Sequence, residues 1–193
     1  MKLAFLSAFG EMGGAERSLY DVLASLRAAR PDWELSLIVP SAGALAERAA
    51  RLGVGVSVVE FPRSLARLGD AGAGGPAGRR VGRARLALDL ALAAPGVSLY
   101  LRRLRRELRR IAPDVLHANG LKPQLLAALS QTKGRPPVVW HVHDYVSTRP
   151  LMARLIKRCA PRCAAAVVNS RSVAEDLRAV CGAGLKTHLL YNA

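Results

Sequence analysis

Trp140-His141-Val142-His143-Asp144 is a stretch of this chain equipped for chemistry. On a strand, residues two apart point to the same face, so His141 and His143 line up together and Asp144 follows at once. Such a pair raises the question of a divalent metal. Metal-dependent hydrolases with this spacing need further histidine or carboxylate ligands, and the only other histidines are His117 and His188. No metal site is expected. The other reading makes His141 a hydrogen-bonded interior residue and lets His143, at the strand end, reach a ligand. His117 stays open between a structural and a ligand-binding role.

A second chemical feature lies near the start, where Phe9 to Arg17 reads Phe-Gly-Glu-Met-Gly-Gly-Ala-Glu-Arg after the apolar run Leu3–Leu6. A strand, a glycine turn and a helix start form a corner whose unpaired N–H groups suit an anion. The spacing is not the Gly-x-Gly-x-x-Gly of dinucleotide folds. Moreover, the second apolar run ends in Val39-Pro40-Ser41, where a ribose-binding acid would be expected, so NAD is disfavoured. No Gly-x-x-x-x-Gly-Lys-Ser/Thr occurs, which excludes a phosphate loop of the nucleotide-hydrolysing kind.

Elements that could position these residues recur along the chain. Short apolar runs at Leu3–Leu6, Leu35–Val39, Val56–Val59, Val115–Leu116, Val138–Val142, Ala164–Val168 and Leu189–Tyr191 alternate with helix-patterned segments at Gly14–Ala29, Ala44–Leu52, Leu99–Ile111, Lys122–Gln131, Leu151–Cys159 and Ser172–Val180. Runs apolar on both faces are strands covered on both sides. The expected fold is therefore α/β, a Rossmann-like doubly wound parallel sheet of about seven strands with helices on both faces. In such sheets ligands bind beyond the carboxyl ends of the strands. Gly13 and Gly14, then His117, Asn119 and Gly120, then His143 and Asp144, then Asn169 and Ser170 follow the first, fourth, fifth and sixth runs, and converge on one crevice. Asn169-Ser170-x-Ser172, with Glu175 beyond, offers helix caps.

The 193 residues suit one domain with its own core. Three cysteines, Cys159, Cys163 and Cys181, form no Cys-x-x-Cys and suit reduced thiols packed in a core, with Pro161 breaking the helix between the first two. The Met-Lys start followed by a β-type run is read as lacking a signal peptide. These readings give a cytoplasmic protein. Pro62 to Gly78, with its cluster of glycines, is read as a surface loop, and Val81–Leu92 is too short to span a bilayer.

The formal charge is +15, and the segment from Arg79 to Arg110 holds ten arginines against Asp89 and Glu107. In Leu99–Ile111 the residues Leu101, Leu104, Leu108 and Ile111 share one face, while Arg102, Arg103, Arg105, Arg106, Arg109 and Arg110 cover the other. Three readings remain: a solvated outer face, an anionic membrane surface, or nucleic acid. A membrane suits arginine stems lying along lipid with their heads on phosphates, and would place the protein peripherally at the inner face. Nucleic acid ranks last, since no aromatic residues interleave with the arginines.

Four segments together resemble the amino-terminal domain of a GT4-family retaining GT-B glycosyltransferase. They are Gly13-Gly14-Ala15-Glu16-Arg17, Pro113-Asp114-Val115-Leu116-His117-Ala118-Asn119, Trp140-His141-Val142-His143-Asp144 and Val167-Val168-Asn169-Ser170. The resemblance spans nearly the whole chain and stops at Leu190-Tyr191-Asn192-Ala193, where the family has a hinge into a second, donor-binding domain. That C-terminal domain, with its glutamates eight apart, is absent, so residues 1–193 are expected to be one half of a GT-B enzyme, weakly active or inactive alone. The resemblance implies sugar transfer from a nucleotide-sugar to a glycan or lipid-linked acceptor in polysaccharide biosynthesis, with the nucleotide-sugar as co-substrate and no other cofactor. By resemblance, amides near Gly13 and Gly14 face the donor diphosphate or the acceptor, and His143 contacts the transferred sugar. Asn119 and Lys122 line the acceptor side, and Gly120, Asp144 and Ser170 complete the substrate-binding set. The competing class is a non-enzymatic basic module for anionic membrane or RNA. It accounts for the arginines but not for polar residues collecting at the strand ends.

Overall fold

A computed structural model describes residues 1–62, 83–131 and 136–191. Seven strands form one sheet: β1 (Lys2–Ser7), β2 (Glu34–Val39), β3 (Gly55–Val58), β4 (Val115–Asn119), β5 (Val138–Val142), β6 (Ala165–Val168) and β7 (Thr187–Leu189). Their order is β3-β2-β1-β4-β5-β6-β7 and every neighbouring pair is parallel. The helices among the described residues are α1 (Gly14–Ala29), α2 (Ala44–Arg51), α3 (Arg83–Ile111), α4 (Leu121–Ser130), α5 (Pro150–Cys159) and α6 (Arg171–Cys181).

Alternation along each strand gives the sheet two apolar faces, and each carries its own core. On one face Leu3, Phe5, Leu35, Leu37 and Val39 pack against Leu19 and Leu23 of α1 and Leu45 and Ala49 of α2. On the other, Ala4, Leu6, Leu116, Ala118, Trp140 and Val168 meet Tyr100 and Leu104 of α3, Leu126 of α4, Ile156 of α5 and Leu177 of α6. Helices thus lie on both faces, as the βα rhythm predicts.

The differences from the sequence expectations are local. β4 is not two residues long but runs to Asn119, because polar His117 and Asn119 occupy strand positions paired with Phe5 and Ser7. β7 lies earlier than Leu189–Tyr191, although the Leu190 N–H continues its ladder to the Val168 carbonyl. α3 begins well before Leu99 and carries Pro95 inside it. A proline there removes one i→i−4 bond, which a long packed helix tolerates. Ser170 caps α6 by accepting from the Val173 N–H at 3.2 Å, so Glu175 lies beyond capping-box reach. α5 ends at Cys159, with Pro161 in a 3-10 turn. The expected glycine-rich loop after Pro62 lies outside the described residues.

One arginine ties three segments together. Arg27, at the end of α1, donates to the carbonyls of Leu52 (3.1 Å), Gly53 (3.2 Å), Pro31 (3.2 Å) and Trp33 (3.0 Å). Charge-assisted bonds to carbonyls that must otherwise find water give Arg27→Ala an expected cost of about 2 kcal/mol. Urea unfolding measures it, and an unchanged midpoint would contradict the assignment.

Candidate functional site

Chain order reverses at β1, whose neighbours are β2 on one side and β4 on the other, and the carboxyl ends of these strands are where sheets of this kind bind ligands. Gly13 and Gly14 follow β1, Asn119 ends β4, Gly120 and Lys122 open α4, and His143 and Asp144 follow β5. Asn119 joins three of these segments. It is 1% exposed, its Nδ2 donates to the Ala15 carbonyl at 3.1 Å, and its Oδ1 lies 2.8 Å from His143 Nε2. The first bond fixes the orientation of the amide, so Oδ1 must accept and His143 Nε2 must carry the hydrogen. His143 Nδ1 is then the acceptor in the neutral ring.

The backbone around His143 is held as firmly. Gln124 Nε2 and the Gly120 N–H donate to the His141 carbonyl at 2.9 and 3.1 Å, and Asn169 Nδ2 donates to the His143 carbonyl at 3.3 Å. Gly120 sits at φ +90°, where a side chain would be strained.

Burial depresses the His143 pKa, with the neighbouring Asp144 charge opposing, so the ring is neutral near pH 7. Behind it the rings run inward: His143 to His141 at 4.1 Å between centroids, His141 to His117 at 5.2 Å, His117 to Phe5 at 5.1 Å. Burial lowers His117 to about 4 and His141 to about 2. His141 is interior as expected, but neither of its nitrogens has a protein partner, and His117 Nε2 has none either. His117 lies within β4 beside Phe5 rather than beyond the strand end, which gives it a structural place.

Other predicted residues are placed more loosely. The Lys122 ammonium is 5.5 Å from the Phe61 ring centroid. Ser170 Oγ is committed to its cap and lies 3.1 Å from Ser172 Oγ, which accepts from the Tyr145 hydroxyl at 3.0 Å. Asp144 is exposed and 3.9 Å from Arg149. Sequence reasoning passed over Glu16, which is 6% exposed and stands at the start of α1, with the Asp144 charge near enough to act on it. Among the described residues no group of three or more His, Cys, Asp or Glu side chains could hold a metal ion.

The sequence profile of Glycosyltransferase Family 4 matches residues 12–193. The chain belongs to this family. Comparison with curated proteins finds no significant match. Among solved structures it resembles Anabaena Alr3699/HepE in complex with UDP-glucose, at 18% identity and a TM-score of 0.68, covering 100% of this chain and 44% of that one. It also resembles the apo form of the lipopolysaccharide outer core galactosyltransferase WaaB, at 14% identity and a TM-score of 0.65, covering 100% and 46%. A third is sucrose-phosphate synthase from Thermosynechococcus elongatus, at 11% identity and a TM-score of 0.63, covering 99% and 48%. At these identities the likeness is one of fold. This family 4 chain spans less than half the length of each.

Its basic helix divides into two kinds of arginine. Arg102, Arg103, Arg106, Arg109 and Arg110 are exposed, and Arg110 pairs with Glu107 at 2.6 Å, where Ser57 of the edge strand also bonds. Arg105 departs from the outward-facing expectation. It is half-buried and donates to the Leu129 and Ser130 carbonyls, at 2.8 and 3.2 Å, at the end of α4. A cation on the unpaired carbonyls at a helix C-terminus explains why it turns inward. No helix among the described residues is long and apolar enough to cross a membrane.

Proposed function

We propose that this chain is the acceptor-side half of a retaining GT-B glycosyltransferase, which moves a sugar from a nucleotide-sugar to a glycan or lipid-linked acceptor. The observation that carries the reading is the hydrogen bond between His143 and Asn119 at the reversal of strand order, within a family 4 sequence. It presents a neutral imidazole with a fixed tautomer at the crevice. His143 Nδ1 accepts from a hydroxyl of the transferred sugar, while Asn119 holds the ring and the α1 loop in register. Gly13, Gly14, Gly120, Lys122, Asp144 and Ser170 line the walls. HepE is a neighbour crystallised with UDP-glucose, which supports a nucleoside diphosphate sugar as the donor class.

Transfer requires both reactants to be held against each other and the charge on the leaving diphosphate to be stabilised as it develops. A single half supplies one wall, and the donor-binding domain supplies the other. The exposed arginines of α3 bring the enzyme to an anionic membrane, where a lipid-linked acceptor waits, peripherally at the cytoplasmic face.

Donor hydrolysis and sugar transfer, measured with the purified chain alone and together with a separately expressed donor-binding half, test this. Alone, the chain should show no turnover above background, and the pair should transfer. His143→Ala should lower transfer by the pair by about a hundredfold, the scale of one positioned polar group. Robust transfer by the chain alone would overturn the reading.

A further inference from the structure

A groove of about 420 Å³ lies between β3 and α3, lined by Val58, Val59, Glu60, Arg103, Arg106 and Glu107. β3 is the margin of the sheet, with β2 and β1 between it and the strand that carries Asn119, so the groove is separate from the site around His143. Two of its side chains are cations. Arg103 and Arg106, at i and i+3, stand on the same side of α3. Both are exposed, and neither makes a hydrogen bond or an ion pair among the described residues.

The two acids of the groove differ in how they are held. Glu107 accepts from Arg110 at 2.6 Å and from the Ser57 hydroxyl at 2.5 Å, which fixes its carboxylate against the edge strand and leaves Arg106 to act on it only through space. Glu60 is exposed and has no ion pair among the described residues. With Arg110 included, three cations stand against these two acids, so the groove keeps a positive excess. Its floor is apolar. Val59 is 8% exposed, and Val58, on the last residue of β3, is 51% exposed with no side chain covering it.

We propose that this groove is a binding site for a phosphate ester, whose phosphate is held by Arg103 and Arg106 and whose carbon stem lies on Val58 and Val59. Guanidinium groups match phosphate oxygens with paired N–H donors, and two of them one helical turn apart can close on one phosphate from two directions. The apolar floor gives an ester something that inorganic phosphate cannot use. Such a phosphate comes either from a lipid headgroup or from a soluble ester. The lipid source rests on the membrane reading above, and the site itself does not.

Two double variants remove equal charge from the same helix. Arg103→Ser with Arg106→Ser empties the groove, and Arg102→Ser with Arg109→Ser takes exposed arginines that do not line it. Each is titrated with glycerol 3-phosphate by calorimetry and co-sedimented with phosphatidylcholine vesicles containing phosphatidic acid, at matched salt. All four side chains are exposed, so both variants should melt close to the wild type. Glycerol 3-phosphate should bind the wild type and the Arg102/Arg109 variant alike, and the Arg103/Arg106 variant at least about tenfold more weakly. Val58→Asp, which leaves every cation in place, should also weaken it, and Glu60→Gln should tighten it. If the Arg103/Arg106 variant also loses at least about tenfold more vesicle binding than the other, the lipid headgroup is the source of the phosphate. If the two variants lose vesicle binding equally while glycerol 3-phosphate still requires Arg103 and Arg106, the site stands with a soluble ester as its ligand, and the membrane reading loses this groove. Binding of both ligands that does not depend on which pair is removed would overturn the proposal.

Discussion

Acidification from pH 7 to pH 5 is expected to lower the melting temperature of this domain by about 10 °C. The cause is the column of imidazoles in which His141 is buried and His117 half-buried. His117 and His141 have folded-state pKa values of about 4 and about 2. Burial is the main reason for both, reinforced by His143 beside His117 and by His117 and then His143 beside His141. In the unfolded chain each would titrate near 6.5. Between that value and the folded pKa the unfolded state takes up protons that the folded state refuses, so stability falls as pH falls. Each pH unit below 6.5 removes about 1.4 kcal/mol per histidine. By pH 5 that is about 2 kcal/mol each, and about 4 kcal/mol together. For a domain of this size each kcal/mol moves the melting temperature by about 2–4 °C. Neither nitrogen of His141 nor Nε2 of His117 has a protein acceptor for an added proton, while Glu16, whose pKa burial raises, works the other way as pH falls. Thermal melts at pH 5 to 8 on the wild type and on His141→Phe check this. The variant should lose about half of the slope, and a flat wild-type profile would end the argument.

The same histidines show where sequence reading reaches its limit. Apolar runs of β length spaced by helical patterns determine which segments are strands, and the parallel sheet follows from their being apolar on both faces. The gathering of Gly13, Asn119, His143 and Asn169 at one edge was legible for the same reason, since polar residues after apolar runs must come together at one edge of such a sheet. Pairing across strands was not legible. That Asn119 meets His143 and Ala15, rather than solvent, depends on register and side-chain orientation. His117 looked like a residue beyond a strand because β4 is only briefly apolar, yet its pairing with Phe5 places it inside. Glu16 escaped notice because the capping-box signature starts from Ser or Thr, and here the cap is a glycine. Arg105 was grouped with its neighbours by helical period alone. Its inward turn depends on the end of α4, which local sequence does not reveal.

Replacing Arg102, Arg103, Arg106 and Arg109 with serine is expected to lower binding to vesicles rich in anionic phospholipid by about a hundredfold or more. Each basic residue held near such a surface contributes about 1 kcal/mol, and the four side chains are exposed on one helix and make no ion pair among the described residues. Arg110 is left in place because Glu107 neutralises it, and its loss would also loosen the edge strand through Ser57. Leu99, 46% exposed and one turn ahead of Arg102 and Arg103, gives the same face an apolar contact for the lipid boundary. Arg105→Ser is the informative companion. It removes the same charge from the same helix but takes away the cations on the Leu129 and Ser130 carbonyls, so it should lower the melting temperature while leaving vesicle binding within about twofold. Added salt should weaken wild-type binding, because these charges face water and are screened over about 8 Å at physiological ionic strength. Co-sedimentation unchanged by the four serines would show that α3 is a solvated outer face. A preference for RNA over vesicles at matched salt would instead move the arginines to the nucleic-acid reading.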